Sequence, residues 1–122
     1  MTEEKFTSSH TLLQKFGFAL KGSVVSFKTE VSIRIQSFLA LCAVALGFYL
    51  HISHEDWIWI VAATALVLIT ETLNTAIEKL VDLVSPGYNQ IAGLVKDIAA
   101  GAVFMAAVTS VIIALLVFVP YL

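Results

Sequence analysis

From Ile35 to Ile52 the chain is apolar apart from Gln36, Ser37, Cys42 and His51, and about 18 such residues suffice to cross the hydrocarbon core of a bilayer. The polar turn His51-Ile-Ser-His-Glu-Asp56 follows. A second apolar run opens on Trp57 and Trp59, residues that suit the aromatic belt at a membrane interface. It continues to Val84 without glycine or proline until Ser85-Pro-Gly87-Tyr-Asn89 breaks it. A third run begins near Ile91, is apolar from Ile98 to Val119, and stops at Pro120. Ahead of all three, between Phe6 and Arg34, Leu12, Leu13, Phe16, Leu20, Val24, Phe27 and Val31 recur at steps of about three and four, with Lys15, Lys21 and Lys28 interspersed. That pattern predicts an amphipathic helix lying on a membrane surface. The expected architecture is all-α and integral to the membrane. A surface helix over 6–34 precedes membrane helices over 35–52, 57–84 and 91–119, in one domain covering 1–122.

Composition agrees, since 59% hydrophobic and 13% charged residues are too apolar a mixture for a soluble domain of 122 residues. The first 30 residues are mixed and polar, so no cleaved signal peptide is expected. Cys42 is alone, which excludes an internal disulfide and a cysteine metal site. A net charge of −2 argues against nucleic-acid binding, which needs concentrated basic surface. Charge placement sets the topology. Lys5, Lys15, Lys21, Lys28 and Arg34 precede the first span, Lys79 and Lys96 flank the second loop, and the turn from His51 to Asp56 carries no Lys or Arg. The excess of basic residues predicts a cytoplasmic N-terminus and an external C-terminus. On the third span Ala102, Ala106, Ser110 and Ala114 recur every fourth residue, a small-residue stripe suited to close helix packing within the chain or between copies.

The candidate chemistry lies on the second span. Glu71, Asn74, Glu78 and Asp82 are spaced by three, four and four residues and fall in one helical stripe. An ionisable group at the bilayer centre costs roughly 2.5–3.5 kcal/mol on insertion scales and marks function by default. At about 1.5 Å per residue, Glu71 lies about 21 Å below Trp57, within the cytoplasmic half of the core. Glu30, Lys96 and Asp97 are expected on the same side. Hard carboxylate oxygens such as Glu30 and Glu78 suit Mg²⁺ carrying nucleotide phosphates, and Lys96 suits a phosphate oxygen. The set is phosphoryl-transfer equipment, with Glu71 deep enough to take a proton from a lipid hydroxyl. Other readings exist for single residues. Asp82 fits a solvated helix end, Lys96 a snorkelling anchor, and Glu71 with Asn74 an interhelical hydrogen bond. The competing class is a small proton- or cation-coupled transporter with Glu71 as its binding carboxylate, although a carrier places that group near the midplane. Gly17 and Gly22 approximate the spacing of a phosphate loop, but Ser23 stands where its lysine belongs.

Glu71-Thr-Leu-Asn-Thr-Ala-Ile-Glu78-Lys-Leu-Val-Asp82, followed by Lys96-Asp-Ile-Ala-Ala-Gly-Ala-Val103, resembles the prokaryotic diacylglycerol kinase family, which includes undecaprenol kinases. The resemblance covers nearly the whole chain. It implies a small homotrimeric lipid kinase of the bacterial cell membrane that uses Mg-ATP at sites shared between subunits. By the same resemblance Glu71 matches the catalytic base, Glu30 and Glu78 the metal-binding carboxylates, and Lys96 and Asp97 the nucleotide-contacting pair. Glu30, Glu78, Gly87, Tyr88 and Asn89 are assigned to the nucleotide as well, and Asn74, Asp82 and Arg34 to supporting polar positions. Val81-Asp82-Leu-Val-Ser-Pro86 and Ala99-Ala-Gly101-Ala-Val resemble the undecaprenol kinase branch, while Tyr88 and Gly93 resemble the diacylglycerol kinase branch. Undecaprenol is therefore the first expectation for the lipid and diacylglycerol the second.

The topology makes a direct prediction. Single cysteines at Ser53 and Ser85, in a Cys42-free background, should react with an impermeant thiol reagent from opposite sides of the membrane. Labelling of both from one side would overturn the three-span topology.

Overall fold

A computed structural model describes residues 9–122 of the chain. Lys5 and Phe6, and with them the expected start of the surface helix, lie outside the described residues. Among those described, four α-helices follow in order: α1 (Leu12–Thr29), α2 (Val31–Leu50), α3 (His54–Val84) and α4 (Gln90–Phe118), closed by a 3-10 turn over Val119–Tyr121. The segments Val31–Leu50, His54–Val84 and Gln90–Tyr121 are each long and apolar enough to cross a membrane. The three expected spans are thus present, with boundaries shifted by local capping.

The first shift concerns the surface helix, which was expected to run through Arg34. Thr11 starts α1 through a capping box: its hydroxyl accepts from the Gln14 N–H at 3.2 Å and its own N–H donates to Gln14 Oε1 at 2.9 Å. Glu30 then ends it, because its backbone is extended (φ −112°, ψ 116°). Arg34 explains why the break is tolerated. Its Nη1 donates to the carbonyls of Phe27 and Lys28 at 2.9 and 2.8 Å, oxygens that the helix end leaves without intrahelical partners. Val31 to Arg34 consequently belong to α2. No residue of α1 is buried in the single chain.

The turn between α2 and α3 is made by His51, which adopts the left-handed conformation (φ 52°, ψ 51°) at the end of α2. The Ile52 N–H returns to the Gly47 carbonyl at 3.2 Å and the His51 N–H to that of Phe48 at 3.3 Å, closing the helix end. Ser53 caps α3 by accepting from the Asp56 N–H at 3.1 Å, so α3 starts three residues before Trp57. Glu55 and Asp56 in its first turn complement the helix dipole. Trp57 folds back over Gly47 and meets the Phe48 ring with centroids 4.8 Å apart. The C-terminus joins this end, where the Tyr121 hydroxyl donates to Asp56 Oδ2 and accepts from the Ser53 N–H at 3.0 Å. Beneath lies a core of Ile52, Ile60, Val117 and Phe118.

Helices α3 and α4 form the main packed pair. Ala63 and Ala106 are buried where they meet, and the Ser110 hydroxyl donates to the Ala63 carbonyl at 3.0 Å across the interface. Part of the small-residue stripe of α4 therefore serves packing within the chain, while Ala102 at its other end is exposed. At about 1.5 Å per residue α3 is about 46 Å long, longer than a bilayer core of about 30 Å.

Gly47 is the glycine with the least room, because a Cβ there would lie 2.7 Å from the Trp57 ring. Gly47→Val should destabilise the detergent-solubilised protein by about 1–3 kcal/mol, as overpacking does. Gly22, with open space around it, is the control. A thermal midpoint lowered by Gly47→Val but not by Gly22→Val checks the packing.

Candidate functional site

The packed face of α3 is apolar for half its length and then becomes polar. Ile60, Ala63 and Val67 are buried, and the next residues on the same stripe, Glu71 and Thr75, are buried too, at 8% and 5% exposure. Glu71 thus lies in line with core positions, its placement dictated by the same periodicity that buries its neighbours. No hydrogen bond to its buried carboxylate is formed among the described residues. Glu78 follows about two turns on along the same helix, and its neighbour Lys79 faces Glu30. A buried carboxylate without a hydrogen-bond partner calls for a cation, a proton or a donor.

One turn towards the end of α3, Asn74 Nδ2 donates to Glu78 Oε1 at 3.1 Å. Asn74 Oδ1 is buried and accepts no hydrogen bond among the described residues. Glu30 joins from the junction of α1 and α2. Its side chain makes no capping bond at the start of α2, and its Oε1 instead faces Lys79 Nζ at 3.7 Å. Further along, Lys96 Nζ donates to Asp82 Oδ1 at 2.6 Å, a tight charge-assisted bond that ties α4 to the end of α3.

The loop residues assigned to the nucleotide are divided. Asn89 caps α4, its Oδ1 accepting from the N–H groups of Ile91 and Ala92 at 2.9 and 3.1 Å. The Gly87 carbonyl accepts from the Ser85 hydroxyl at 3.1 Å, and Tyr88 is almost wholly exposed. Tyr88 and Asp97 line one shallow depression of about 580 Å³ with Gln90, Gly93 and Leu94. Arg34 is turned to the end of α1 and away from the α3 stripe. The fold thus gathers Glu71, Asn74, Glu78 and Glu30 in one cluster and Asp82 with Lys96 in a second. Two contributors escape a reading of the sequence for function. Thr75 was detectable, since it falls four residues after Glu71, whereas Lys79 entered only as a topological charge.

The donors fit a magnesium-nucleotide complex in kind. All are hard oxygens, the donor type that Mg²⁺ takes when one or two carboxylates share its shell with phosphate and water. No group of three or more His, Cys, Asp or Glu side chains able to hold a metal ion by themselves occurs among the described residues. The residues able to hold it are Glu30 and Glu78.

The family model for prokaryotic diacylglycerol kinase matches residues 17–118. The chain belongs to that family. An undecaprenol kinase from Bacillus subtilis is 36% identical over 109 residues, covering 89% of this chain and 89% of its own. A diacylglycerol kinase from Synechocystis is 37% identical over 103 residues, 84% of this chain but only 59% of that longer protein. The diacylglycerol kinase of Escherichia coli K12 is 29% identical over 101 residues, 83% of each chain. Membership supports a lipid kinase embedded in a membrane, as the polar stripe suggested.

The capping geometry gives Asn89 a measurable structural task. Asn89→Ala should cost about 0.5–2 kcal/mol of stability, and Asn89→Ser should retain most of the cap. Equal thermal midpoints for parent and Asn89→Ala would show that the cap is not formed.

Proposed function

We propose that this chain transfers the γ-phosphoryl group of ATP to the hydroxyl of a membrane lipid at the cytoplasmic leaflet, with undecaprenol the first substrate and diacylglycerol the second. The observation that carries the reading is Glu71, a buried carboxylate without a hydrogen-bond partner among the described residues, one turn deeper than the Asn74–Glu78 pair. A lipid hydroxyl is a weak nucleophile. Glu71 takes its proton as the new bond to phosphorus forms and the bond from phosphorus to the departing ADP oxygen breaks, so the alkoxide never has to exist free. The unpartnered Asn74 Oδ1 is available to accept from a donor group arriving with the substrates. Glu30 and Glu78 hold Mg²⁺, which, when bound, offsets the charge on the phosphate oxygens. Lys96 and Asp97, with Gly87, Tyr88 and Asn89, bound the nucleotide end.

An apolar groove of about 320 Å³ between α2, α3 and α4 includes Val67, one turn from Glu71. A lipid chain resting there would bring its head to the base. Undecaprenol is placed first because the stretch from Val81 to Pro86 and that around Gly101 resemble its kinases, although relatives of both names are found. In this reading the N-terminus is cytoplasmic, α1 lies along the inner surface with its lysines towards the headgroups, and three copies share sites.

The test is phosphorylation in mixed micelles with Mg-ATP and either undecaprenol or diacylglycerol. Label in undecaprenol supports the first reading, label in diacylglycerol alone selects the second, and label in neither overturns both. Glu71→Gln keeps size and hydrogen-bonding capacity but loses the base, so turnover should fall about 10²–10⁴-fold while nucleotide binding and oligomer size persist. Near-parental turnover in that variant would remove Glu71 as the base.

A further inference from the structure

Lys79 is the one cation that faces Glu30 across the cluster among the described residues, and its manner of doing so differs from the other ion pair in the fold. Lys96 and Asp82 are in hydrogen-bond contact at 2.6 Å. Lys79 and Glu30 stand 3.7 Å apart, beyond a hydrogen bond. The Lys79 side chain is 60% exposed and that of Glu30 29%, so the ammonium approaches from the solvent side on a flexible four-carbon stem. The backbone that carries Glu30 is fixed, because its N–H bonds the Ser26 carbonyl and Arg34 clasps the carbonyls of Phe27 and Lys28. Its carboxylate makes no capping bond, so Lys79 is the side chain that meets it among the described residues.

We propose that Lys79 is an exchangeable counter-ion for Glu30, which occupies the carboxylate in the nucleotide-free chain and yields it when a divalent cation arrives. The inference rests on the assignment of Glu30 to the metal. Glu30 faces a helix that also carries Glu71 and Glu78, and like charges brought together in a region poor in water destabilise the chain unless a cation stands near. Lys79 supplies that cation before the metal is present. It sits next in sequence to Glu78, about 100° round the helix, which turns it out of the carboxylate stripe and towards the α1–α2 junction. A small divalent ion binding directly to carboxylate oxygens would compete with the ammonium for Glu30, and the looseness of the pair makes the exchange easy. Lys79 is thus a positioning residue, keeping Glu30 turned towards α3 without contacting substrate.

The test is Mn²⁺ binding to the detergent-solubilised full chain without nucleotide or lipid, read from loss of the free-ion paramagnetic resonance signal. Lys79→Met removes the competitor, so Mn²⁺ affinity should rise about two- to fivefold, the range expected of a partly exposed ion pair. Lys79→Arg keeps the charge and should bind as the parent does. A general field effect of one lost positive charge would raise affinity whether or not Glu30 is ionisable, so the decisive comparison is made with Glu30→Gln. In that background Lys79→Met should have no effect. If Glu30→Gln weakens Mn²⁺ binding but Lys79→Met alone leaves it unchanged or lowers it, the counter-ion role is wrong and the metal assignment stands. A rise of equal size in both backgrounds also overturns the counter-ion role. If Glu30→Gln leaves Mn²⁺ affinity unchanged, the metal assignment of Glu30 fails and this inference fails with it.

Discussion

A carboxylate placed on the packing stripe of a membrane helix must meet a proton, a cation or a donor, and the organisation around α3 follows from that constraint on Glu71. Its stripe begins as ordinary core, with Ile60, Ala63 and Val67 packed among neighbouring helices. The helical repeat that buries those residues buries Glu71 as well. The chain cannot expose it to bulk water without rotating α3 and exposing the core. Polar groups surround it: Asn74 and Glu78 bond to each other, Glu30 enters from the α1–α2 junction, and Lys79 and Lys96 provide positive charge at the rim.

The two ends of the molecule solve different problems. At the end holding the α2–α3 turn, Gly47, Trp57, Ile52 and Phe118 pack closely, and Tyr121 ties the C-terminus to Ser53 and Asp56. That end is a rigid closure. At the opposite end the contacts are polar, with two ion pairs among the described residues, a break at Glu30 and a short loop after Val84. Apolar packing and the polar side chains are thus separated along the helix axes.

Apolar surface remains abundant in the single chain, including Phe104, Met105 and Leu116, as lipid or further helices require. α1 illustrates the same point. Its apolar residues are exposed throughout, so its stability as a helix comes from the Thr11–Gln14 box at one end and the Arg34 clasp at the other, with the rest left to its surroundings.

Sequence alone determined the three apolar spans, because an uninterrupted apolar run in lipid has no alternative to a helix. It also determined the Glu71, Asn74, Glu78 and Asp82 stripe, since residues three and four apart on one helix share a face whatever surrounds them. Helix ends were less legible: α1 stops at Glu30 and not at Arg34 because a side chain four residues on satisfies its carbonyls, a contact that no periodicity contains. Pairings between helices were decided only in three dimensions. Lys79 read as a topological charge until the fold set it against Glu30, and Asn89, read as a loop residue assigned to the nucleotide, gave no sign that its side chain closes the start of α4. Such pairings depend on how α1, α3 and α4 are rotated and offset against one another, which is set by packing between segments distant in sequence.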